Sequence, residues 1–431
     1  MSSTPSNPIL SPSPNILSQL QGVYYGLVHL GLATAAYTYE SAPDKIGPAL
    51  QKLLEDPSQF PPIPDPNTPG QTIQGYWKLD WGPSFETDLR LFRNDNLIYV
   101  ASYRQGRRPG PGGEDGPPYF FAVVNRGTDT SAGFFEDIVQ AFEDLDAFEQ
   151  VTWTDVLNGN HKLLGLPLHN PANRAVPSGL TGKIAEGTAD ALIALNYLIP
   201  WNASQFSKDY LGDAMLSLMG KYPNTPVVVT GHSLGGALTQ VVACYLAWQL
   251  YNTQTGAIPL VIPQPIAPPT VGDSNFVSMY DTLFPKATGG NFWFNTADLV
   301  PCAWANLKQI LTLWDGYQWP TPPGGQGPGL DFGLKVVLAL LFGRVPPYSR
   351  PLVNQQSLSA NPPGVLPSEA EMRAFLTSMG GNPNNWNTWA SQLQYQHLPP
   401  AYHTLMSAVA GVQAYPLPAT PQAARAAAAS V

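Results

Sequence analysis

One short segment of the chain constrains its fold more than any other. Residues 226–230 read PVVVT, a continuous apolar run that suits a strand buried on both faces of a parallel sheet. The pentapeptide GHSLG follows at 231–235, and a long apolar helix is predicted over 234–251. A strand that turns into a helix within five residues, with a glycine two positions either side of a serine, predicts a sharp turn at the carboxyl edge of an α/β sheet.

Strands and helices are predicted to alternate along the rest of the chain. That order is typical of a mostly parallel sheet flanked by helices. We expect a single domain over 1–431, with a helical arm at 1–56 and an insertion at 303–390 that could cover a site as a lid. The predicted strands are 97–103, 119–125, 258–262 and 291–295, and the predicted helices are 16–39, 134–148, 182–199 and 204–220.

Composition excludes several classes of function. Only 12% of the residues are charged and the formal net charge is −9, so the chain lacks the basic face that a nucleic-acid binder needs. Cys244 and Cys302 are expected to be buried thiols. No cluster of cysteine and histidine has the spacing of a metal site, so we expect no metal and no other cofactor.

The N-terminus shows no targeting signal. It reads MSSTPSNPILSPSPNIL, which is polar and proline-rich and has no basic region before an apolar core. The apolar runs at 22–37 and 336–342 are too polar or too short for a membrane span, which takes about 20 apolar residues. We therefore expect a cytoplasmic protein, or one that is exported without a leader.

Ser233, at the centre of the pentapeptide, has the position of a catalytic nucleophile. A serine at a tight strand-to-helix turn projects its hydroxyl from the sheet edge, and bulky side chains two positions away would collide, hence Gly231 and Gly235. The same turn places the positive end of the helix beside the serine, where the N–H of Leu234 can stabilise an oxyanion.

Four segments, in this order along the chain, resemble the class 3 lipases, the family of the fungal triacylglycerol lipases. The resemblance covers roughly residues 85–300 and implies an α/β-hydrolase that cleaves carboxylic esters through an acyl-enzyme on Ser233. The chain departs from the family pattern at Asn125, where an aromatic residue is usual, and at Cys302, where histidine is common. The segments are AVVNRGT at 122–128, KYPNTPVVVTGHSLGGALT at 221–239, APPTVGD at 267–273 and NTADLVP at 295–301.

A serine nucleophile needs a histidine to take its proton, and in α/β-hydrolases this base lies after the serine and the acid in the chain. Two histidines follow Ser233, His397 and His403. His397 and Tyr402 resemble a His-x4-Tyr piece of bacterial members of the family, and a loop position for His397 suits a base that reaches across the sheet. His403 falls on a helix predicted to start near Pro400. We favour His397 as the base.

The base in turn needs a buried carboxylate that fixes its tautomer. Asp298 follows the strand-like segment NFWFN and is flanked by apolar residues, so we favour it as the acid. Asp273 and Asp281 are expected to be turn or capping residues. The acidic residues weighed after Ser233 are Asp273, Asp281, Asp298, Asp315, Asp331, Glu369 and Glu371.

The resemblance implies a second oxyanion donor at Thr128, beside the N–H of Leu234. Read from the residues alone, Thr128 is also compatible with a plain turn at a strand end. The resemblance further implies a structural pair, Arg126 and Asp137, near this loop.

The remaining histidines are not expected to take part in the chemistry. His232 is predicted to pack beneath the turn, because a catalytic role for it would conflict with the order of the triad. His161 and His169 lie in a polar segment and are expected to be solvated.

The expected substrate is an acylglycerol, most of all a triacylglycerol, met in transient contact with a lipid surface. A phospholipase A1 or a short-chain carboxylesterase is the alternative among enzymes. A lipase-like module that binds or signals without turnover is the alternative outside them. The lid candidates are 132–148 and 303–345, and the run VVLALLF at 336–342 could be core or lid, since periodicity does not separate them.

Overall fold

A seven-stranded sheet crosses the centre of the computed structural model. Four further short strands form two small two-stranded sheets beside it. The seven strands of the main sheet are β1 Gly75–Phe85, β2 Leu97–Gln105, β3 Pro118–Asn125, β8 Val227–His232, β9 Val261–Ile266, β10 Phe292–Asn295 and β11 Gln355–Leu358. The short strands are β4 Gln150–Thr152, β5 Lys162–Leu163, β6 Leu166–Pro167 and β7 Lys183–Ala185.

The helices follow the strands in the alternation that the sequence predicts. The described residues also contain three 3₁₀ turns, at Pro57–Gln59, Val300–Cys302 and Pro383–Asn385. The helices are α1 Val23–Ala35, α2 Pro43–Glu55, α3 Trp153–Leu157, α4 Glu186–Asn196, α5 Leu211–Lys221, α6 Leu234–Gln249, α7 Ser274–Leu283, α8 Leu307–Ile310, α9 Glu369–Ser378, α10 Trp389–His397 and α11 Pro399–Ala410. The structure describes residues 22–37, 43–65, 68, 71–85, 97–108, 113–127, 147–176, 180–198, 200, 209–251, 260–286, 290–310, 312–314, 345–351, 355–359, 366–379, 381–412 and 417.

The main sheet is parallel over most of its width. Its strand order is β1-β2-β3-β8-β9-β10-β11. The pairs β1–β2 and β2–β3 are antiparallel, and the four remaining pairs, from β3–β8 to β10–β11, are parallel. Parallel strands need crossover connections, and helices on both faces provide them. This arrangement confirms the predicted fold class, an α/β-hydrolase with a mostly parallel sheet.

Both faces of the sheet are buried, which explains why its strands read as continuous apolar runs. In β8, Val227 and Val229 face a cluster that includes α4, α5 and α6, whereas Val228 faces a cluster that includes α1 and α2. All three valines are fully buried. Because neighbouring side chains of a strand point to opposite faces, an apolar residue is needed at every position.

Several predicted elements are confirmed with small changes at their ends. The predicted strands 97–103 and 119–125 are β2 and β3, and the predicted helix 234–251 is α6. The predicted helix 182–199 is divided, because Lys183–Ala185 pairs with β4 as β7 before α4 begins. Both cysteines are buried free thiols, as expected.

The prediction for β9 ends too early in the chain. The predicted strand 258–262 stops before Pro263, since a proline gives no N–H to a ladder. The observed strand continues through Pro263 and Pro265 to Ile266, and its pairing with β10 is at Ile266 and Trp293. The strand therefore reaches the turn at Ser233, whose N–H donates to the carbonyl of Ile266 at 3.0 Å.

The predicted insertion 303–390 also contributes to the sheet itself. Gln355–Leu358 is β11, the edge strand next to β10. Other parts of this segment form a separate apolar cluster with Leu299 and Val300, which includes Trp304, Trp314, Phe375 and Trp386. The segment therefore contributes a strand and apolar side chains to the domain itself.

Most of the predicted lid candidates lie outside the described residues. Of 132–148, the structure describes 147–148, and the run 336–342 is not described. None of the described helices combines the length and the apolar character needed to cross a membrane.

Candidate active site

Ser233 sits in a strained backbone conformation between β8 and α6. Its φ is 60° and its ψ is −126°, a region that residues with side chains rarely adopt. Such a conformation costs on the order of 1–3 kcal/mol and persists only where its surroundings hold it. The turn directs the serine away from the sheet, as the sequence predicts for this elbow.

The two glycines of the pentapeptide are required by close backbone packing. A Cβ at Gly231 would overlap the carbonyl oxygens of Gly235 and Asn125. A Cβ at Gly235 would overlap the carbonyl oxygen of Asn125 and the backbone of Arg126. The end of β3 therefore lies directly against the elbow, which only glycine permits.

Ser233, His397 and Asp298 form one continuous chain of hydrogen bonds. The Nε2 atom of His397 lies 2.8 Å from the Oγ of Ser233, and its Nδ1 lies 2.8 Å from the Oδ2 of Asp298. Because a carboxylate only accepts, Nδ1 carries the proton and Nε2 is left to accept the serine proton. His397 and Asp298 are each 1% exposed. This geometry allows the imidazole to act as a general base toward Ser233.

His397 is not in a loop, contrary to the expectation from the sequence. It is the last residue of α10, and α11 begins two residues later. The loop position was wrong because α10 extends up to His397, and Pro399 and Pro400 occupy the first turn of α11, where a missing N–H is tolerated.

Further donors surround the carboxylate of Asp298. Its Oδ1 accepts from the N–H of Val300 at 3.0 Å, and its Oδ2 accepts from the hydroxyl of Tyr402 at 2.8 Å as well as from His397. A buried charge is stable only when it is paired and hydrogen-bonded. Burial raises the pKa of Tyr402 well above its ordinary value, so the phenol stays neutral and keeps its proton for this bond.

Asn295, at the end of β10, connects the turn before Asp298 to the helix that carries His397. Its Nδ2 donates to the carbonyl of Gln396 at 3.0 Å, and its N–H donates to the hydroxyl of Tyr402 at 2.9 Å. Its Oδ1 accepts from the N–H of Ala297 at 3.0 Å. The side chain and the main-chain N–H of this one buried residue therefore connect the turn before Asp298, the end of α10 and the first half of α11.

Two residues that contact the elbow, His232 and Tyr37, make hydrogen bonds that the sequence did not predict. The Nε2 of His232 lies 2.7 Å from the carbonyl oxygen of His397. The hydroxyl of Tyr37, from the end of α1, accepts from the N–H of Gly127 at 3.0 Å and donates to the carbonyl of His232 at 3.5 Å. None of these three bonds could be predicted from the sequence, because each joins residues that are at least 90 positions apart.

The oxyanion donors predicted from the sequence are partly described. Leu234 is the first residue of α6, where an N–H has no partner within the helix and the positive end of the helix dipole adds to it. Thr128 and Asp137 lie outside the described residues. Gly127, the residue before Thr128, packs against the elbow, where a Cβ would overlap the carbonyl oxygen of His232. Arg126 is buried, and its N–H donates to the carbonyl of Leu97.

The other candidate residues lie apart from this hydrogen-bond chain. Asp273 caps α7, accepting from the N–H of Phe276 at 2.8 Å, as expected. His403 is buried on α11 and makes no hydrogen bond to Ser233 or Asp298 among the described residues. Burial lowers its pKa.

Two histidines predicted to be solvated are hydrogen-bonded to carboxylates instead. His161 lies 2.7 Å from Asp190, and His169 lies 2.8 Å from Asp213. Both side chains are largely covered, at 14% and 26% exposure. The prediction was wrong because a proline- and asparagine-rich segment was taken as solvated, whereas it packs on α4 and α5. Within the described part of the chain, no group of three or more His, Cys, Asp or Glu side chains is placed to hold a metal ion.

The fold and this arrangement define an α/β-hydrolase with a serine, a histidine and an aspartate at its elbow. Residues 122–307 match the family model described as lipase (class 3).

Two known proteins extend the comparison. The secreted mono- and diacylglycerol lipase 3 of Gibberella zeae is 25% identical over 185 residues, which is 40% of this chain and 52% of that protein. The match thus spans about half the length of this curated relative. The crystal structure of M37 lipase is 18% identical, covers 91% of this chain and 94% of its own, and has a TM-score of 0.55. At that identity the likeness shows a common fold.

Proposed function

We propose that this chain is a serine carboxylic-ester hydrolase, a lipase that cleaves acylglycerols through an acyl-enzyme on Ser233. The observation that carries the proposal is the continuous hydrogen-bond chain from Ser233 through His397 to Asp298 at a strained elbow. An intact chain of this kind favours turnover over a non-catalytic binding or signalling module.

The proposed reaction has two halves. The Oγ of Ser233 attacks the ester carbonyl while the Nε2 of His397 takes its proton, and Asp298 stabilises the imidazolium. The N–H of Leu234, with Thr128 as the second donor, stabilises the negative oxygen of the tetrahedral intermediate. His397 then gives the proton to the leaving alcohol, and a water molecule releases the acyl group by the same steps in reverse order.

The match of residues 122–307 to the model of the class 3 lipases supports an acylglycerol as the substrate. The relative from Gibberella zeae is named as a lipase of mono- and diacylglycerols, and M37 is named as a lipase. Among acylglycerols we propose triacylglycerols, met in transient contact with a lipid surface. We further propose that 1–431 forms one domain, with its N-terminal helices included, and that 132–148 or 303–345 acts as a lid.

A substrate series tests this proposal. Purified protein is assayed on p-nitrophenyl esters from two to eighteen carbons, on an emulsified triacylglycerol and on a phosphatidylcholine, with Ser233→Ala as the control. We expect hydrolysis of long-chain esters and of the triacylglycerol, lost in the control. A sharp preference for soluble short esters would instead indicate a carboxylesterase, and release of the sn-1 acyl chain from the phospholipid would indicate a phospholipase A1. Absence of turnover on every ester would refute the proposal and favour a binding module.

A further inference from the structure

His232, the residue before the nucleophile, reaches across the elbow to the main chain of the base. Its Nε2 lies 2.7 Å from the carbonyl oxygen of His397, and the two imidazole rings lie 4.8 Å apart between centroids. His232 is 1% exposed, and its ring also packs edge-on against that of Tyr402. The contact is therefore dry and closely packed.

The chain after His397 explains why a donor from elsewhere is useful at this carbonyl. His397 ends α10, and the carbonyls of a last helical turn have no partner within their own helix. Pro399 and Pro400 carry no N–H, and the N–H of Ala401 donates to the carbonyl of Leu398. His232 supplies an N–H from β8.

His232 is suited to be a permanent donor. Burial lowers its pKa well below the ordinary value, and the neighbouring His397 lowers it further. The ring therefore stays neutral and carries a single N–H. Since a carbonyl oxygen only accepts, that N–H is on Nε2.

We infer that His232 is a positioning residue whose hydrogen bond to the His397 carbonyl sets the place of the base against Ser233. His232 and Ser233 are consecutive, so one rigid turn holds both the nucleophile and, through this bond, the end of α10. The conformation of this turn then determines the 2.8 Å distance from the Oγ of Ser233 to the Nε2 of His397. A displacement of about 1 Å between reacting groups can cost roughly 100-fold in rate. The inference rests on the proposed ester hydrolysis.

The test compares two substitutions of nearly equal size. His232→Gln keeps an amide N–H close to the position of Nε2, whereas His232→Met fills the same space without a donor. We expect His232→Met to lower kcat on p-nitrophenyl butyrate by about 10- to 100-fold with little change in KM, and His232→Gln to recover most of that loss. Equal values of kcat in the two variants, whether both low or both near wild type, would overturn the inference.

A second measurement keeps the test decisive if the Met variant is unstable. The rate at which a fluorophosphonate labels Ser233 depends on activation by the base and is normalised to folded protein. His232→Asn, whose amide is one methylene too short to reach, is compared with His232→Gln. We expect slow labelling for Asn and faster labelling for Gln, and equal rates would contradict the role of His232. A wild-type protein that neither hydrolyses esters nor is labelled would contradict the proposed function instead.

Discussion

At the scale of single residues, the Oδ2 atom of Asp298 accepts two hydrogen bonds at once. His397 and Tyr402 both donate to it at 2.8 Å, and all three side chains are buried. Hydrogen bonds to a charged group contribute about 1.5–3 kcal/mol each, more than bonds between neutral groups. The orientation of the carboxylate therefore depends on the phenol as well as on the imidazole.

Removing this phenol tests its contribution. We expect Tyr402→Phe to lower the free energy of unfolding by about 1.5–3 kcal/mol and kcat by roughly tenfold, because Asp298 loses a donor and the main-chain N–H of Asn295 loses an acceptor. Urea denaturation and ester hydrolysis measure the two effects. Tyr99→Phe is the matched control, since the buried Tyr99 hydroxyl donates to the carbonyl of Leu32 at 2.7 Å, away from the site. If Tyr402→Phe and Tyr99→Phe lowered kcat equally, Tyr402 would stabilise the fold without a specific effect on Asp298.

The choice of base is tested by a pair of alanine variants. We expect His397→Ala to lower kcat by about 10⁴-fold or more and His403→Ala to retain most of it, because only His397 lies within reach of the Ser233 hydroxyl. Hydrolysis of p-nitrophenyl butyrate is measured for both, with circular dichroism to check folding. An inactive His403→Ala beside an active His397→Ala would contradict the assignment.

At this scale, only some residues of the candidate site could be predicted from the sequence. Ser233, Asp298 and His397 could be named from local motifs and from their order along the chain, and the structure brings these three together. His232 and Asn295 could not be assigned, since their partners depend on how β8, β10 and α10 meet in space. The His-x4-Tyr spacing marked Tyr402 as noteworthy without revealing its contact with Asp298.

At the scale of elements, α1 is buried on almost every side and carries an ionisable residue in its interior. His29 is fully buried between the rings of Tyr25 and Phe120, and neither ring nitrogen has a hydrogen-bond partner among the described residues. Burial lowers the pKa of His29 to about 3. The helix is therefore stable only while this imidazole is neutral.

This buried imidazole predicts a loss of stability in acid. Between pH 6.5 and about 3 the unfolded chain binds a proton at His29 that the folded chain does not, so folding is favoured less as the pH falls. The contribution reaches about 1.4 kcal/mol per pH unit. We expect the urea midpoint of wild type to fall between pH 7 and pH 5 more steeply than that of His29→Leu. Identical slopes for the two proteins would contradict the account of His29.

Predictions of single elements were wrong where pairing with a neighbouring strand, and not the local sequence pattern, determines the structure. The prolines of β9 suggested the end of a strand, yet the strand continues because its neighbour β8 pairs along its whole length. Gln355–Leu358 is polar and was not predicted as a strand, yet it pairs with β10 at the edge of the sheet, where a partly exposed strand can be polar. By contrast, β8 and α6 were predictable, because burial on every side leaves a continuous apolar run.

At the scale of the whole molecule, the N-terminal helix is part of the structure that supports the site. Helix α1 packs against α11 and β8. Leu27 and Leu30 share an apolar cluster with Trp293 of β10 and Tyr402 of α11. Without these contacts to α1, the buried faces of Trp293 and Tyr402 would be exposed to water.

Truncating one side chain in this cluster tests the contribution of α1. We expect Leu30→Ala to lower the free energy of unfolding by about 2–5 kcal/mol, because it opens a cavity between the helix and the side chains of Trp293 and Tyr402. Chemical denaturation measures the change. Val409→Ala, at a side chain that is 58% exposed, is the control, and we expect an effect below about 0.5 kcal/mol. A cost for Leu30→Ala as small as that of the control would show that α1 is dispensable.

In the proposed reaction, Ser233 carries the acyl group during turnover. The most direct measurement is an acid-quenched reaction with a p-nitrophenyl ester, followed by peptide mapping by mass spectrometry on wild type and Ser233→Ala. We expect the acyl group on the wild-type peptide that contains Ser233, and neither acylation nor hydrolysis in the variant, whose kcat should fall by about 10⁶-fold. An acyl group on another residue, or turnover by Ser233→Ala at the wild-type rate, would contradict the account.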